Sequence, residues 1–250
     1  MHYLFNQFSN ERFKYYINIT ILLRVEFLQL IENIKKMENE NVLKTGTTTL
    51  GIICKDGLIL AADRRATSGN FIVNKETQKI IPITEKIAVT IAGTASDAQL
   101  LARYAEAELR LKKIRTKRDI NVKEAANFLA RLTYNNIRRP SMIPGISHFI
   151  VGGADSTGYY IYDVFPDGSI NEVDKFISSG SGSVMVYGVL ETMFEENMTI
   201  NEAKSLAIKS INAALQRDSA SGNGIDIIAI TQEGIKNIFN QEIKNKAKED

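Results

Sequence analysis

The sequence predicts an α+β protein in which two β-sheets are stacked between two pairs of helices, a four-layer αββα sandwich. Strand-like and helix-like segments occur in groups: strands, two helices, strands, two helices and a final strand. Such segregation argues against a doubly wound parallel sheet. No stretch within residues 47–236 is rich enough in Pro, Gly or Ser to divide this region, so we predict one domain there.

The first half of this region contains two predicted strand pairs followed by two predicted helices. Asp56-Gly57 is a strong hairpin signal between the first two strands. Apolar residues spaced three and four apart define one face of each helix, and Asn121 with Glu124 is a typical helix start. The predicted strands cover 47–54, 58–63, 79–83 and 87–93, and the predicted helices cover 95–113 and 121–139.

The second half repeats this order. Turns rich in Asp, Gly and Pro separate the strands, and Thr199 with Glu202 forms a capping-box signature at the last helix. The residues after the Glu233-Gly234 turn lead into a charged tail, 237–250, whose end, 242–250, we expect to be frayed. The predicted strands cover 148–152, 159–165, 171–177 and 225–231, and the predicted helices cover 183–197 and 199–217.

Composition excludes several classes of function. The sequence of 250 residues has 31 basic and 29 acidic residues, so it offers no strongly basic surface for nucleic acid. The single cysteine, Cys54, cannot form an internal disulfide and fits a reducing compartment. The two histidines, His2 and His148, are too few and too far apart for a His-based metal site or a convincing Ser-His-Asp triad. A hydrolase with this sequence needs another base.

Residues 1–46 differ in composition from residues 47–236. Their most apolar piece, 16–23, is too short and too polar to span a bilayer, and no cleavage pattern of a secretory signal comes after it. We therefore expect no membrane association. We interpret 1–46 as a leader or propeptide, with Met37 as an alternative translation start.

The junction between Gly46 and Thr47 suggests a self-cleaving N-terminal nucleophile. Cleavage there would give Thr47 a free α-amine beside its own hydroxyl. An α-amine has a reference pKa of about 7.7–8, so one residue could supply both nucleophile and base near neutral pH. The motif alone is also typical of an ordinary β-strand segment.

Seven strings in order resemble the catalytic β subunits of the 20S proteasome, archaeal type. The resemblance covers about residues 40–236 and departs from the family by about four extra residues around 138–145. The strings are GTTTLGI at 46–52, ADRR at 62–65, Lys79, AG at 92–93, SGSGS at 179–183, YGVLE at 187–191 and QRDSASG at 216–222.

The resemblance implies an N-terminal-nucleophile hydrolase fold and a threonine endopeptidase that needs no metal or organic cofactor. It also implies partners: other β subunits in a seven-membered ring, α subunits in adjoining rings, an ATP-dependent unfoldase acting through the α ring, and unfolded protein substrates. The same resemblance implies a cytoplasmic location.

The resemblance also assigns residue roles. Thr47 is the expected nucleophile, with Lys79 and Asp63 beside it, and Gly46 is the processing residue. The remaining expected residues are Ser181, Asp218 and Ser221 for a supporting polar group, Gly93 for the oxyanion, and Ala66, Thr67, Ile91 and Ala95 for substrate binding. Thr67 and Ala95 are expected to hold the substrate backbone, and the apolar character of Ala66, Ile91 and Ala95 predicts cleavage after large apolar residues.

Each assignment has an ordinary structural alternative. Lys79 alone could be a surface charge, and Asp63 could pair with Arg64 or Arg65 at a strand end. Gly93 could serve a turn, and Asp218 with Ser221 could cap a helix. Two other functions also remain open: a structural ring subunit that never matures, and an N-terminal-nucleophile amidohydrolase of small molecules.

Overall fold

The computed structural model describes residues 46–243. Strands β1 to β12 span Thr48–Cys54, Gly57–Asp63, Ala66–Ser68, Phe71–Asn74, Ile80–Pro82, Ile87–Gly93, Ser147–Asp155, Gly158–Val164, Ile170–Val173, Phe176–Gly180, Gly224–Thr231 and Gly234–Glu242. Helices α1 to α4 span Ala95–Thr116, Val122–Ile137, Ser183–Met193 and Ile200–Leu215. The expected leader before Gly46, with Met37, and the end of the expected tail, 244–250, lie outside the described residues.

The long strands form two five-stranded sheets. Sheet I has the order β10-β1-β2-β11-β12, and sheet II has the order β5-β6-β7-β8-β9. Neighbouring strands are antiparallel in both sheets. Strands β3 and β4 form a separate hairpin. Because side chains alternate along a strand, each sheet presents two faces for packing.

Three apolar clusters fill the spaces between four layers. One joins sheet II to α1 and α2 and includes Val89 and Leu129. A second lies between the sheets and includes Leu60 and Ile150. The third joins sheet I to α3 and α4 and includes Ile211. The layers therefore run α1/α2, sheet II, sheet I, α3/α4, which confirms the predicted αββα sandwich.

The two predicted helix starts are confirmed. The side chain of Asn121 accepts the N–H of Glu124 at 2.7 Å, where α2 begins. Thr199 and Glu202 form a complete capping box at the start of α4. Such caps satisfy backbone donors that a first helical turn leaves without intrahelical partners.

Three features differ from the sequence prediction. The single strand expected over 171–177 is wrong, because β9 belongs to sheet II and β10 to sheet I, and residues 174–175 carry the chain between them. The β3–β4 hairpin was not predicted, since most of its side chains are exposed and show no apolar alternation. Edge strand β12 was also not predicted, and it runs to Glu242, past residue 236.

Candidate active site

Thr47 lies immediately before β1, with its backbone close to the end of β10. Gly180 has a φ of +95°, and a Cβ there would lie 2.0 Å from the carbonyl oxygen of Thr47. A Cβ on Gly182 would lie 2.0 Å from Oγ1 of Thr48. Glycine alone permits the positive φ and both close approaches. The Ser-Gly alternation over 179–183 thus brings β10 and the start of α3 against the threonine.

The Thr47 hydroxyl contacts the peptide bond that precedes it. Its Oγ1 donates to the carbonyl oxygen of Gly46 at 2.7 Å, and Nζ of Lys79 lies 3.5 Å from the same oxygen. The N–H of Gly46 donates to Oγ1 of Thr67 at 3.1 Å. A Cβ on Gly46 would lie 1.7 Å from Cβ of Ala220, so this chain path requires glycine.

Asp63 forms a buried ion pair with Lys79 at the end of β2. Nζ and Oδ1 are 2.6 Å apart, and the Lys79 and Asp63 side chains are 3% and 0% exposed. The carboxylate also accepts backbone N–H bonds of 2.9, 3.0 and 2.9 Å from Thr48, Arg65 and Gly222. These four donors replace the hydration that a buried carboxylate loses.

The surroundings of Lys79 change its acidity. Burial lowers the pKa of Lys79 from its ordinary value, whereas the charge of Asp63 and the hydrogen bond to it act in the opposite direction. The alternative in which Lys79 is a solvated surface charge is therefore wrong. Arg64 pairs with Asp226, with Nε and Oδ2 3.5 Å apart, rather than with Asp63.

Arg65 holds the loop 218–223 in place. Its Nη1 donates to the carbonyl oxygen of Ser219 at 2.7 Å, and its Nε donates to Oδ1 of Asn223 at 2.8 Å. Its backbone N–H binds Asp63 at the same time. Two donors in a fixed planar arrangement suit this double contact. Sequence reasoning did not place Arg65 in the site, because its partners lie more than 150 residues away along the chain.

Ser181, Asp218 and Ser221 form one hydrogen-bonded group beside Thr47. The Ser181 hydroxyl donates to Oδ2 of Asp218 at 2.5 Å and accepts the N–H of Thr47 at 3.3 Å. The Ser221 hydroxyl donates to the same Oδ2 at 2.6 Å. An ionised carboxylate only accepts, so Ser221 is the donor there and the Thr48 hydroxyl donates to Ser221 at 2.7 Å.

For Asp218 and Gly93, the structural alternative is true and the residue also lies in the site. The N–H of Asp218 binds the carbonyl oxygen of Ala214 at 2.7 Å, so its backbone helps to end α4 while its side chain joins the polar group. Gly93 has a φ of +99°, and a Cβ there would lie 2.2 Å from the carbonyl oxygen of Ile146. Gly93 is thus required by the backbone path and also lies in the site.

A pocket beside Thr47 brings together the remaining predicted residues. Its lining includes the expected residues Gly46, Ala66, Thr67, Lys79, Ile91, Gly93 and Ala95. Thr77 also lines this pocket but was not predicted, since a threonine between polar neighbours carries no signal. Its Oγ1 is buried and has no hydrogen-bond partner among the residues that the structure describes.

The part of the chain that the structure describes has no group of three or more His, Cys, Asp or Glu placed to hold a metal ion. Within the same residues, no helix combines the length and the apolar character needed to cross a membrane.

The layer order, with a threonine at the head of the first strand beside a buried Asp-Lys pair, defines a fold of the N-terminal-nucleophile hydrolase type. A family model described as proteasome subunit matches residues 43–230. Proteasome subunit beta of Ferroglobus placidus is 43% identical over 209 residues, covering 83% of this chain and 97% of that protein. Proteasome subunit beta of Methanocaldococcus vulcanius is 42% identical over 199 residues, covering 79% and 87%. The chain belongs to the proteasome subunit family.

Proposed function

We propose that this chain is a threonine endopeptidase, a catalytic β subunit of a 20S proteasome that processes itself between Gly46 and Thr47. The observation that carries the proposal is the 2.7 Å contact between the Thr47 hydroxyl and the Gly46 carbonyl, with Lys79 3.5 Å from the same oxygen. Nucleophile, susceptible bond and a buried cation are thus assembled before any substrate binds. Unfolded proteins are the proposed substrates and peptides the products.

Processing begins when Oγ1 of Thr47 turns from the carbonyl oxygen to the carbonyl carbon of Gly46. Oγ1 bonds to that carbon and releases its proton, while negative charge develops on the carbonyl oxygen near Lys79. The C–N bond then breaks, the nitrogen of Thr47 takes up the proton that Oγ1 released, and an ester remains between the two residues. Water hydrolyses the ester, leaving a carboxylate on Gly46 and a free amine on Thr47.

The new amine serves as the base of the mature enzyme. A reference pKa of about 7.7–8 leaves a useful share neutral near pH 7. The Lys79 ammonium disfavours protonation of the amine, which keeps that share available. In the precursor the same nitrogen already contacts Ser181, which is hydrogen-bonded to Asp218. This contact supports a fixed position for the amine after cleavage.

Substrate cleavage repeats the chemistry on a bound peptide. The Thr47 hydroxyl attacks the substrate carbonyl carbon, and the developing oxyanion lies toward the backbone N–H of Gly93. One such donor is worth on the order of 3 kcal/mol of transition-state stabilisation. The amine product leaves, and water hydrolyses the acyl ester on Thr47. No metal or organic cofactor enters these steps.

The pocket supports a preference for large apolar residues on the acyl side of the cleaved bond. Ala66, Ile91, Ala95 and Ala98 line it, and none of the described residues contributes an acidic side chain to it. The backbone at Thr67 and Ala95 is the proposed binding edge for the substrate chain. Peptides ending in Leu or Tyr at the cleavage point should therefore turn over faster than Arg-ending ones, and the reverse order would contradict this preference.

Assembly is part of the proposal. The chain joins other β subunits in a seven-membered ring, stacked against rings of α subunits, in the cytoplasm. An ATP-dependent unfoldase delivers unfolded substrates through the α ring. Enclosure of the sites in such a chamber keeps an unselective protease away from folded proteins.

The test uses the chain assembled with its ring partners. N-terminal sequencing and peptide hydrolysis are measured for the wild type, Thr47→Ala and the control Thr47→Ser, which keeps a hydroxyl. We expect the wild type to begin at Thr47 and to cleave peptides, Thr47→Ala to keep its Gly46 bond and be inactive, and Thr47→Ser to be processed and active.

Other results would indicate one of the two alternative functions, a structural ring subunit or an amidohydrolase of small molecules. Wild-type rings that neither mature nor cleave peptides would indicate a structural subunit. Processed rings that hydrolyse only small amides would indicate an amidohydrolase. Full peptidase activity with the Gly46 bond intact would refute the mechanism.

A further inference from the structure

His148 connects two buried polar side chains in the layer between the sheets. Its Nδ1 lies 2.8 Å from Oγ of Ser179, and its Nε2 lies 2.6 Å from Oδ1 of Asp163. Ser179 is 2% exposed and Asp163 is 3% exposed. The imidazole stacks on Phe165, with ring centroids 5.0 Å apart. Hydrogen bonds and stacking together hold the ring in one orientation.

This Ser-His-Asp series is not a second nucleophilic triad. The Ser179 hydroxyl is buried and does not line the pocket beside Thr47. Nucleophilic attack requires contact between the substrate carbonyl and the hydroxyl oxygen, and the burial of Ser179 prevents this contact. The series therefore has a structural role and does not react with a substrate.

For an ionised Asp163 and a neutral imidazole, the hydrogen positions follow from the partners. An ionised Asp163 only accepts, so Nε2 of His148 donates to it. In a neutral imidazole Nδ1 is then the acceptor, and the hydroxyl of Ser179 donates to it. Each member of the series has a partner for its proton or lone pair.

One end of the series lies beside the proposed oxyanion site. His148 is on β7 of sheet II, where it is paired in register with Ala92 on β6. Gly93 is the next residue along β6 and is paired with Ser147. A shift of His148 relative to sheet I would therefore carry the Gly93 backbone with it.

The other end lies beside the nucleophile. Ser179 is on β10 of sheet I, where it is paired in register with Thr49 on β1. The next residue, Gly180, is the one whose Cβ would lie 2.0 Å from the Thr47 carbonyl oxygen. The position of Ser179 is thus transmitted to the threonine by direct backbone contact.

We propose that His148 is a positioning residue whose hydrogen bond to Ser179 sets the distance between Gly93 on sheet II and Thr47 on sheet I. The inference rests on the proposed peptidase function. Much of the remaining layer between the sheets is filled by apolar side chains such as Leu60 and Ile150, whose attraction has no preferred direction. A hydrogen bond is directional and fixes the separation of its two atoms.

The first test removes the contact at its sheet I end. In assembled particles, Ser179→Ala should lower kcat per processed subunit about tenfold, because a displacement near 1 Å costs up to about 100-fold. KM should stay within about twofold of the wild type, since no side chain that lines the pocket is replaced. The matched control is Ser147→Ala, because Ser147 is fully buried next to His148 and its Oγ has no hydrogen-bond partner within residues 46–243.

A second pair of variants divides the two hydrogen bonds of the ring. In His148→Asn the amide takes the place of Nδ1 and keeps the contact with Ser179. In His148→Gln the amide takes the place of Nε2 and keeps only the contact with Asp163. We expect kcat per processed subunit to be several-fold higher for His148→Asn than for His148→Gln.

Processed subunits are counted by intact mass, and Thr47→Ala particles supply the background rate. Wild-type particles without activity above that background would refute the proposed function, and the positioning role would fall with it. Active wild-type particles with equal kcat in Ser179→Ala would refute the positioning role alone. If Ser179→Ala does not assemble, the histidine pair decides, and equal or reversed kcat values would overturn the inference.

Discussion

Replacing Gly46 with Ala should slow self-processing strongly. The added Cβ would lie 1.7 Å from Cβ of Ala220, whereas carbon atoms in contact are normally about 3.5–4.0 Å apart. The chain on one side must therefore move by about 2 Å. A 1 Å misplacement can cost about 100-fold in rate, which corresponds to about 2.7 kcal/mol of barrier. We expect processing to be slower by at least about 100-fold.

A compensating change tests the steric reason. Ala220→Gly removes the atom in closest contact and leaves Cα of residue 220 at 2.8 Å from the new Cβ, so the required movement becomes smaller. The double variant Gly46→Ala with Ala220→Gly should recover about tenfold in processing rate, since the remaining displacement falls below about 1 Å. Ala220→Gly alone should process as the wild type does.

The assay measures the mass of the β chain over time in assembled particles. Chains produced to begin directly at Thr47 serve as a further control, because residue 46 is then absent and peptidase activity should be normal. Wild-type processing rates in Gly46→Ala would refute the steric reasoning. Failure of Ala220→Gly to improve the double variant would also refute it.

Buried groups give three further predictions. Lys79→Met should abolish processing. It should also destabilise the fold by about 3–5 kcal/mol in denaturation experiments, because Asp63 loses its cation. Unchanged stability would contradict the role of the ion pair. Thr77→Val should lower KM for Leu-ending peptides several-fold without loss of stability, because a methyl replaces a buried pocket hydroxyl that has no hydrogen-bond partner in the described part of the chain. A destabilisation above about 1 kcal/mol would show that the hydroxyl forms a hydrogen bond and would contradict this prediction. Burial raises the pKa of Cys54 to about 12, so less than about one thiol in a thousand is ionised at pH 8. A disulfide reagent should therefore react with Cys54 only after denaturation. Rapid reaction of the native protein would refute this prediction.

The layer order was predictable because long segments of the chain have a clear period. Apolar residues of α2 recur at helical spacing, and its Asn121 cap marks the start. The exchange of sheets at residues 174–175 was not predictable, since β9 and β10 are both short and only tertiary contacts assign them to different sheets. Strand β12 carries exposed polar residues at the edge of sheet I, so its sequence lacks the alternation of a half-buried strand.

Sequence reasoning placed Thr47, Asp63 and Lys79 because they stand within strings that resemble a known family. The structure pairs Asp63 with Lys79, and Lys79 and Thr47 both contact the carbonyl oxygen of Gly46, while the catalytic roles of these residues stay predictions. Contacts between distant single residues were beyond sequence reasoning. His148 contacts Ser179, which is 31 residues away in the sequence, and Asp163, which is 15 residues away. No local sequence pattern links these residues.

The hydrogen bonds of Asp63 have a consequence for inactive relatives of such a chain. This one carboxylate joins the start of β1, the turn after β2 and the segment at Gly222, in addition to Lys79. A gene copy released from selection for proteolysis would still be selected for folding. The aspartate would therefore be retained, while substitutions could replace the hydroxyl residue at position 47. Retained aspartate would thus mark shared architecture, and under the proposed mechanism the identity of residue 47 would distinguish active copies from inactive ones.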